Sequence, residues 1–174
     1  MGIGKRRKYS VSFKNPRKPR KSEKQIRKFL FNKADAIRLT EYTWTEFSLW
    51  QKDHFVKVIK HGGGKDRRSI SVIDALNPFL IRRFSDHTRY DNVRHPFISA
   101  HYLYKNVRGL RALLNKETLI WRSEISKRFY GLEDPTFYKG KAMLGSVITH
   151  ESMIILYLTN SEKKMLEKEG VIFD

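Results

Sequence analysis

Residues 22–39 read SEKQIRKFLFNKADAIRL, and this stretch sets the fold class that the sequence predicts. Ser22 and Gln25 have the spacing of a capping box, in which two residues satisfy backbone amides at a helix N-terminus. Apolar residues then recur at the three- and four-residue steps of one helix face. They are Ile26, Phe29, Leu30, Ala34 and Ile37. The stretch therefore predicts a helix over residues 23–39.

The same signals predict further helices along the chain. A second capping box, from Thr43 to Glu46, precedes apolar residues at helical spacing, and prolines at 78 and 96 mark two helix starts. Ser161 is the expected N-cap of a short charged helix. The predicted helices cover residues 44–60, 78–84, 96–115, 118–130 and 162–169.

Two stretches are compatible with either a helix or a strand. Residues 69–76 fit both, and in residues 142–158 the isoleucines and a tyrosine favour a strand whereas the length suits a helix. Residues 62–68 and 85–95 are predicted loops, and Asp134-Pro135 a predicted turn. The sequence therefore predicts a mainly α protein, a small helical domain of about five to seven helices, with a short β element in 142–158 as the open question.

Positive charge is concentrated near the N-terminus. The 174 residues contain 36 Lys and Arg against 18 Asp and Glu, a net charge of +18. Residues 1–28 hold twelve of these basic residues and one acid, Glu23, a net charge of +11. Two prolines and mutual repulsion oppose a helix in this segment. We therefore expect an extended basic arm over residues 1–21 attached to a single domain over residues 22–174.

The composition and the motifs exclude several classes of site. The chain has no cysteine, which removes disulfides, thiolate metal sites and a cysteine nucleophile. No apolar run approaches the roughly 18 residues of a membrane-spanning helix. The six histidines lack the His-Glu-x-x-His spacing of a zinc site, and the glycines at 62–64 lack the Lys-Ser/Thr of a phosphate-binding loop. We expect no metal, no cofactor and no small-molecule substrate.

The segment Arg89–His95 has an Arg-x5-His spacing that resembles the motif of HEPN-type ribonucleases. The resemblance covers seven residues. It implies a four-helix bundle in which Arg89 stabilises charge and His95 moves a proton while a 2′-hydroxyl attacks its own phosphate. The other interpretation is a loop whose Arg and His contact phosphates.

Basic residues interleaved with aromatic ones favour RNA binding. Arg and Lys neutralise phosphates, and aromatic rings offer a surface on which bases stack. The residues expected to contact RNA are Lys5, Arg6, Arg7, Lys8, Tyr9, Phe13, Lys14, Arg17, Lys18, Arg20 and Lys21 of the arm, and Lys65, Arg67, Arg68, Arg82, Arg83, Arg89, Arg94, Arg108 and Arg111 of the body.

The sequence thus predicts a structural RNA-binding protein rather than an enzyme. The most concrete hypothesis is a component of a ribosome or of a mitochondrial ribosome, bound to ribosomal RNA and neighbouring proteins, with no membrane partner. The expected location is the ribosome, in the cytoplasm or the mitochondrial matrix, although the two basic blocks of the arm also fit a nuclear-localisation signal. The alternatives are a viral or nucleoprotein component that packages DNA or RNA, and the HEPN-like ribonuclease.

Overall fold

A computed structural model describes residues 5–13, 21–44, 75–88, 97–114, 132–149 and 151–174. These residues form seven strands and three helices, with a short 3-10 helix over Asn77–Phe79. The strands are β1 (Arg7–Ser12), β2 (Ala36–Trp44), β3 (Leu80–Thr88), β4 (Phe97–Lys105), β5 (Leu132–Lys139), β6 (Ala142–Ile148) and β7 (Met153–Leu158). The helices are α1 (Lys21–Lys33), α2 (Arg108–Leu114) and α3 (Asn160–Lys168).

The seven strands form one sheet in the order β1-β7-β6-β5-β2-β4-β3, and every neighbouring pair is antiparallel. The prediction of a mainly α domain is therefore wrong, because most of the described chain is antiparallel sheet. No described helix is long and apolar enough to cross a membrane.

The predicted helix over residues 23–39 is in fact a helix followed by a strand. Asn106 ends α1, because its Nδ2 donates to the main-chain carbonyls of Phe31 (2.8 Å) and Ala34 (2.7 Å), which have no partner within the helix. From Ala36 to Leu39 half-buried residues alternate with buried ones, as in a strand, with Ile37 and Leu39 on one face. The apolar spacing continues across the boundary, so it conceals the change from helix to strand.

The predicted helices over residues 78–84 and 96–115 are also wrong. Pro78 begins only the 3-10 helix, after which the chain extends as β3. In β4, Tyr102 and Tyr104 are buried whereas Lys105 is exposed, the period of two that belongs to a strand. The remainder of the second predicted helix is the short α2. Two predicted helices lie wholly or almost wholly outside the described residues. They are the helix over 118–130 and the helix over 44–60, of which only Trp44 is described, as the last residue of β2.

Residues 142–158, which fitted either a helix or a strand, form the two antiparallel strands β6 and β7. The short charged helix that follows is confirmed as α3, with Thr159 rather than Ser161 as its N-cap. Thr159 and Glu162 form the reciprocal bonds of a capping box.

The turn predicted at Asp134-Pro135 instead lies inside β5, where Asp134 has a positive φ of 49° and the register with β2 shifts. Such a shift is a β-bulge.

The core lies on one face of the sheet, the core face. Ile26 and Leu30 of α1 are fully buried against it, and the Phe31 and Phe137 rings meet edge-on with centroids 5.3 Å apart. Gly145 of β6 lets α1 come close, since a Cβ there would lie 3.0 Å from Cδ2 of Leu30. The core face therefore holds α1 against β5 and β6.

The predicted arm contributes a strand to this sheet. From Arg7 to Ser12 it pairs with β7 as β1, and the main-chain amide of Asp174 donates to the carbonyl of Ser10 (3.0 Å). Residues 1–4 and 14–20 of the arm lie outside the described residues.

Candidate nucleic-acid interface

The strand register defines a second face of the sheet, opposite the core face. One row of residues on this face crosses all seven strands. From edge to edge it contains Ser10, Ile155, Ser146, Thr136, Arg38, Leu103 and Arg82. Along the row, the second face changes from an apolar half over β7 and β6, bordered by the polar edge strand β1, to a basic half over β5, β2, β4 and β3.

A basic and aromatic pair occupies the β3 edge of the second face. The Arg82 guanidinium lies over the Phe84 ring, 4.7 Å from its centroid, and this ring packs on the His101 imidazole with centroids 5.0 Å apart. His101 is buried, and its Nδ1 is 3.1 Å from Oγ1 of the buried Thr40. Because His101 and Thr40 support the ring from below, Phe84 is held while Arg82 stays exposed.

A second pair lies two to three strands away. The Arg38 guanidinium lies 5.9 Å from the Tyr138 ring centroid, and its Nη2 donates to Oγ1 of Thr136 (3.2 Å). Its Nε is buried without a hydrogen-bond partner. Lys105 and Tyr138 both pair with Ala36, so they flank it on the same face, and Lys105 is exposed. We call these residues the sheet-face patch: Arg38, Arg82, Phe84, Lys105 and Tyr138.

The sheet-face patch has the chemistry of a surface for unpaired nucleotides. Guanidinium and ammonium groups donate to phosphate oxygens, and aromatic and guanidinium planes stack on bases. Phe84 and Tyr138 are half-buried, and the guanidinium over each ring is itself a plane on which a base can stack. The register also places Glu133 opposite Thr40, beside the patch, so the charge there is not wholly positive.

The apolar half of the second face differs from the sheet-face patch because its residues are mostly uncharged. Ile148, Met153, Ile155 and Tyr157 are half-buried, and Lys8 at the sheet edge is exposed. Lys8 pairs with Tyr157, so its ammonium stands at the end of this apolar surface.

The arm residues predicted to bind RNA have different surroundings. Arg6 donates to the Tyr157 carbonyl (2.6 Å) and forms an ion pair with Glu162 (2.9 Å), so its guanidinium joins β1 to α3. Phe13 is buried in the core and leaves no ring face for a base. Tyr9 packs on Phe173, with ring centroids 5.5 Å apart. By contrast Lys5, Arg7 and Lys8 are exposed.

The predicted body residues are also divided between faces. Arg83 points to the core-face side, where its guanidinium lies 5.1 Å from the Tyr102 ring centroid. Arg108 and Arg111 lie on α2, Arg108 exposed and Arg111 half-buried with an unpartnered Nε. Lys21 lies on α1. The predicted residues outside the described part of the chain are Lys14, Arg17, Lys18, Arg20, Lys65, Arg67, Arg68, Arg89 and Arg94.

Four residues of the sheet-face patch are absent from the residues predicted to contact RNA: Arg38, Phe84, Lys105 and Tyr138. Arg38 and Lys105 were assigned to helices, and Tyr138 followed a predicted turn. The sequence AHYLYK over residues 100–105 has no regular alternation of apolar and polar residues, so no local signal placed Lys105 on a strand.

The described residues contain no group of three or more side chains able to hold a metal ion. The Arg89–His95 motif lies outside the described part of the chain, and the four-helix bundle that the resemblance implies differs from the sheet found here. No family model, curated protein or solved structure matches this chain.

Proposed function

We propose that this protein is a non-catalytic RNA-binding protein that holds unpaired nucleotides on the second face of its sheet. The observation that carries the proposal is the sheet-face patch, in which two arginines each lie over an aromatic ring on one face of the sheet. The net charge of +18 favours a polyanionic partner.

The spacing within the patch suits a nucleic-acid strand that runs diagonally across the protein strands. Phe84 and Tyr138 lie on β3 and β5, which are three strand spacings apart in the sheet. At about 4.8 Å per spacing, the two rings are about 14 Å apart across the sheet. Phe84 is level with His101 and Tyr138 is level with Lys105, four residues further along β4, which adds about 13 Å along the strands, so the total separation is about 20 Å. A bound strand could stack on both rings while Arg82, Arg38 and Lys105 contact phosphates along its path.

Single-stranded RNA is favoured over duplex DNA by the kind of surface involved. An exposed sheet with aromatic and basic side chains accommodates unstacked bases, which single-stranded RNA loops and bulges provide. A duplex keeps its bases stacked and offers no such contact to a sheet face.

One pair of substitutions tests the patch with a matched control. Arg82 and Arg83 are neighbours on β3 whose side chains lie on opposite faces, and both are exposed. We expect Arg82→Gln to weaken binding of a single-stranded RNA oligonucleotide and to lower the slope of log affinity against log salt by about 1. Arg83→Gln should leave that slope within about 0.3 of the native value.

A second substitution tests stacking apart from charge. Phe84→Leu keeps an apolar side chain but removes the ring, and we expect affinity for the same oligonucleotide to fall by about tenfold, within the range for loss of one stacked base. Fluorescence anisotropy with RNA and with DNA of the same sequence measures both effects. Equal binding by the native protein, Arg82→Gln and Phe84→Leu would show that the patch is not the site.

Within this proposal, the role that we favour is a structural component of a ribosome or a mitochondrial ribosome. The supporting observation is a strongly basic chain with a folded, sheet-based body. The experiment is to recover the protein from its source without nuclease and to follow it through sedimentation. Co-sedimentation with ribosomal particles that is lost after ribonuclease treatment supports the role, and migration as a free protein contradicts it.

A packaging component of a virus or nucleoprotein is the second candidate, and the strand content favours it. Viral shell proteins are commonly jelly rolls of two packed sheets. The described strands instead form one sheet with α1 on one face. Nuclease-protected particles formed by the protein with nucleic acid would favour this candidate over the ribosomal one.

A further inference from the structure

We propose that the exposed lysines of α1 bind the phosphates of a base-paired RNA segment, on the opposite side of the sheet from the sheet-face patch. The protein would thereby join two RNA segments. This inference rests on the proposed RNA-binding function and assigns a second, separate site to it.

The exposed surface of α1 has an unusual composition. Its exposed residues are Lys21, Lys24, Lys28, Asn32 and Lys33, so every one is a lysine or an asparagine. The acidic residue of the helix, Glu23, is buried. We call Lys21, Lys24 and Lys28 the α1 lysine stripe.

The stripe forms one straight row. At about 100° per residue, Lys21, Lys24, Lys28 and Asn32 lie within about 80° of one another around the helix axis. At about 1.5 Å per residue, Lys21 and Lys28 are separated by about 10 Å along the axis. The ammonium groups can therefore contact several phosphates of one backbone.

Helix stability does not account for the stripe. Lys21 and Lys24 lie in the first turn, where the helix dipole is unfavourable for cations. Lys24 and Lys28 are four residues apart, a spacing at which like charges repel. No ion pair joins any lysine of the stripe to a carboxylate within the described residues. A polyanion across the stripe would relieve the repulsion.

Helix α3 shows how the same chain arranges lysines that are balanced by acids. Lys164 and Lys168 are exposed and four residues apart, like Lys24 and Lys28. Glu167 and Glu169 lie beside them, and Glu167 forms an ion pair with Lys163. Because α3 carries both signs of charge, it serves as an internal control for the stripe.

The stripe favours a base-paired segment because it supplies charges without rings. The exposed positions of α1 include no aromatic residue, so they offer phosphate contacts but no stacking surface. A duplex presents its phosphates outward and its bases inward, which matches such a surface.

The stripe and the sheet-face patch lie on opposite sides of the sheet. Leu30 packs against Gly145 on the core face, and Ile26 is fully buried beside it. Around the helix axis, the stripe is centred about 180° from these two residues, so it points away from the sheet. The patch lies on the second face, so one RNA segment on each site would be held with the sheet between them.

The test compares Lys24→Gln/Lys28→Gln with Lys164→Gln/Lys168→Gln in the full chain. Glutamine keeps a long side chain with similar helix propensity, so folding should be preserved, and circular dichroism checks this. The probes are a blunt RNA duplex of about 16 base pairs and a single-stranded oligouridylate. We expect the α1 variant to lower the salt slope for the duplex by about 2 and to leave oligouridylate binding unchanged. The α3 variant should change neither.

A separate experiment measures whether the protein holds a duplex RNA and a single-stranded RNA at the same time. Immobilised duplex should retain labelled oligouridylate only when the protein is present, and Phe84→Leu should need about tenfold more oligouridylate for the same retention while duplex binding persists. Equal losses of duplex binding in the α1 and α3 variants would overturn the inference, as would a native protein that never holds both RNAs together. If only the inference is wrong, the native protein still binds oligouridylate. A native protein that binds neither probe would overturn the proposed function as well.

Discussion

Asp35 shows how a single side chain fixes a junction of the fold. It lies between α1 and β2, and its carboxylate accepts hydrogen bonds from Lys139 Nζ (2.8 Å) and from the Gly140 amide (3.0 Å), at the turn between β5 and β6. The hydrogen bond from Lys139, followed by that from the Gly140 amide, lowers the pKa of Asp35 below its ordinary value.

This lowered pKa predicts a pH dependence of stability. A carboxyl whose pKa is lower in the folded state stabilises the fold above its unfolded pKa, and this contribution is lost as the pH falls through the folded pKa. We expect the native protein to lose more stability between neutral and acidic pH than Asp35→Asn, by a small amount because the pair is solvent-exposed. Urea unfolding at several pH values measures this, and identical pH profiles for the two proteins would contradict it.

Arg6 and Phe13 show the limit of sequence reasoning at the scale of residues. Both belong to a basic and aromatic segment that is typical of RNA-binding tails, yet Arg6 is bound to Glu162 and Phe13 is buried. Their partners lie about 140 to 156 positions away in sequence. No local pattern encodes such a contact, so residue type alone could not separate them from the exposed Arg7 and Lys8.

The packing of α1 on β6 is the clearest constraint at the scale of elements. A Cβ at Gly145 would lie 3.0 Å from the Ile155 carbonyl oxygen and 3.0 Å from Cδ2 atoms of Leu156 and Leu30. Two of these atoms belong to side chains that can shift, whereas the carbonyl belongs to the strand ladder.

We therefore expect Gly145→Ala to destabilise the fold by about 1–3 kcal/mol, the usual cost of overpacking a core. If α1 is the crowded neighbour, Leu30→Ala/Gly145→Ala should be more stable than the sum of the single effects predicts. Chemical denaturation of the four proteins of this cycle measures the coupling. Native stability in Gly145→Ala would show that α1 does not approach β6 this closely.

Element type was predictable where a local signal is unambiguous. The charged sequence after Leu158 gave α3 with its boundaries within two residues, because capping and helix propensity act within one turn. In β2 and β4 the apolar spacing fits both a helix and a strand, and neighbouring strands decide between them. Tertiary pairing therefore overrides local preference there.

At the scale of the whole molecule, β1 closes one edge of the sheet. It covers β7, whose sequence MIILYL is apolar and uncharged. An exposed strand of this composition is prone to pair with other chains.

Deletion of residues 1–12 should therefore lower the melting temperature and cause aggregation, because β7 loses its partner along its full length. Arg7→Gln/Lys8→Gln removes two exposed charges and keeps β1, so it should remain folded and monomeric. Size-exclusion chromatography and thermal unfolding compare the two. A deleted chain that stays monomeric with native stability would contradict a structural role for β1.

By itself the sequence determined the net positive charge, the absence of cysteine chemistry and the helical character of α3, because each depends on composition or on contacts within one turn. The tertiary structure decided that most of the described chain is a sheet and that Arg38, Arg82, Phe84, Lys105 and Tyr138 share one face. It also placed the α1 lysine stripe on the opposite side. These features depend on which distant strands pair and on the face that each pairing buries, and cross-strand pairing is a non-local interaction.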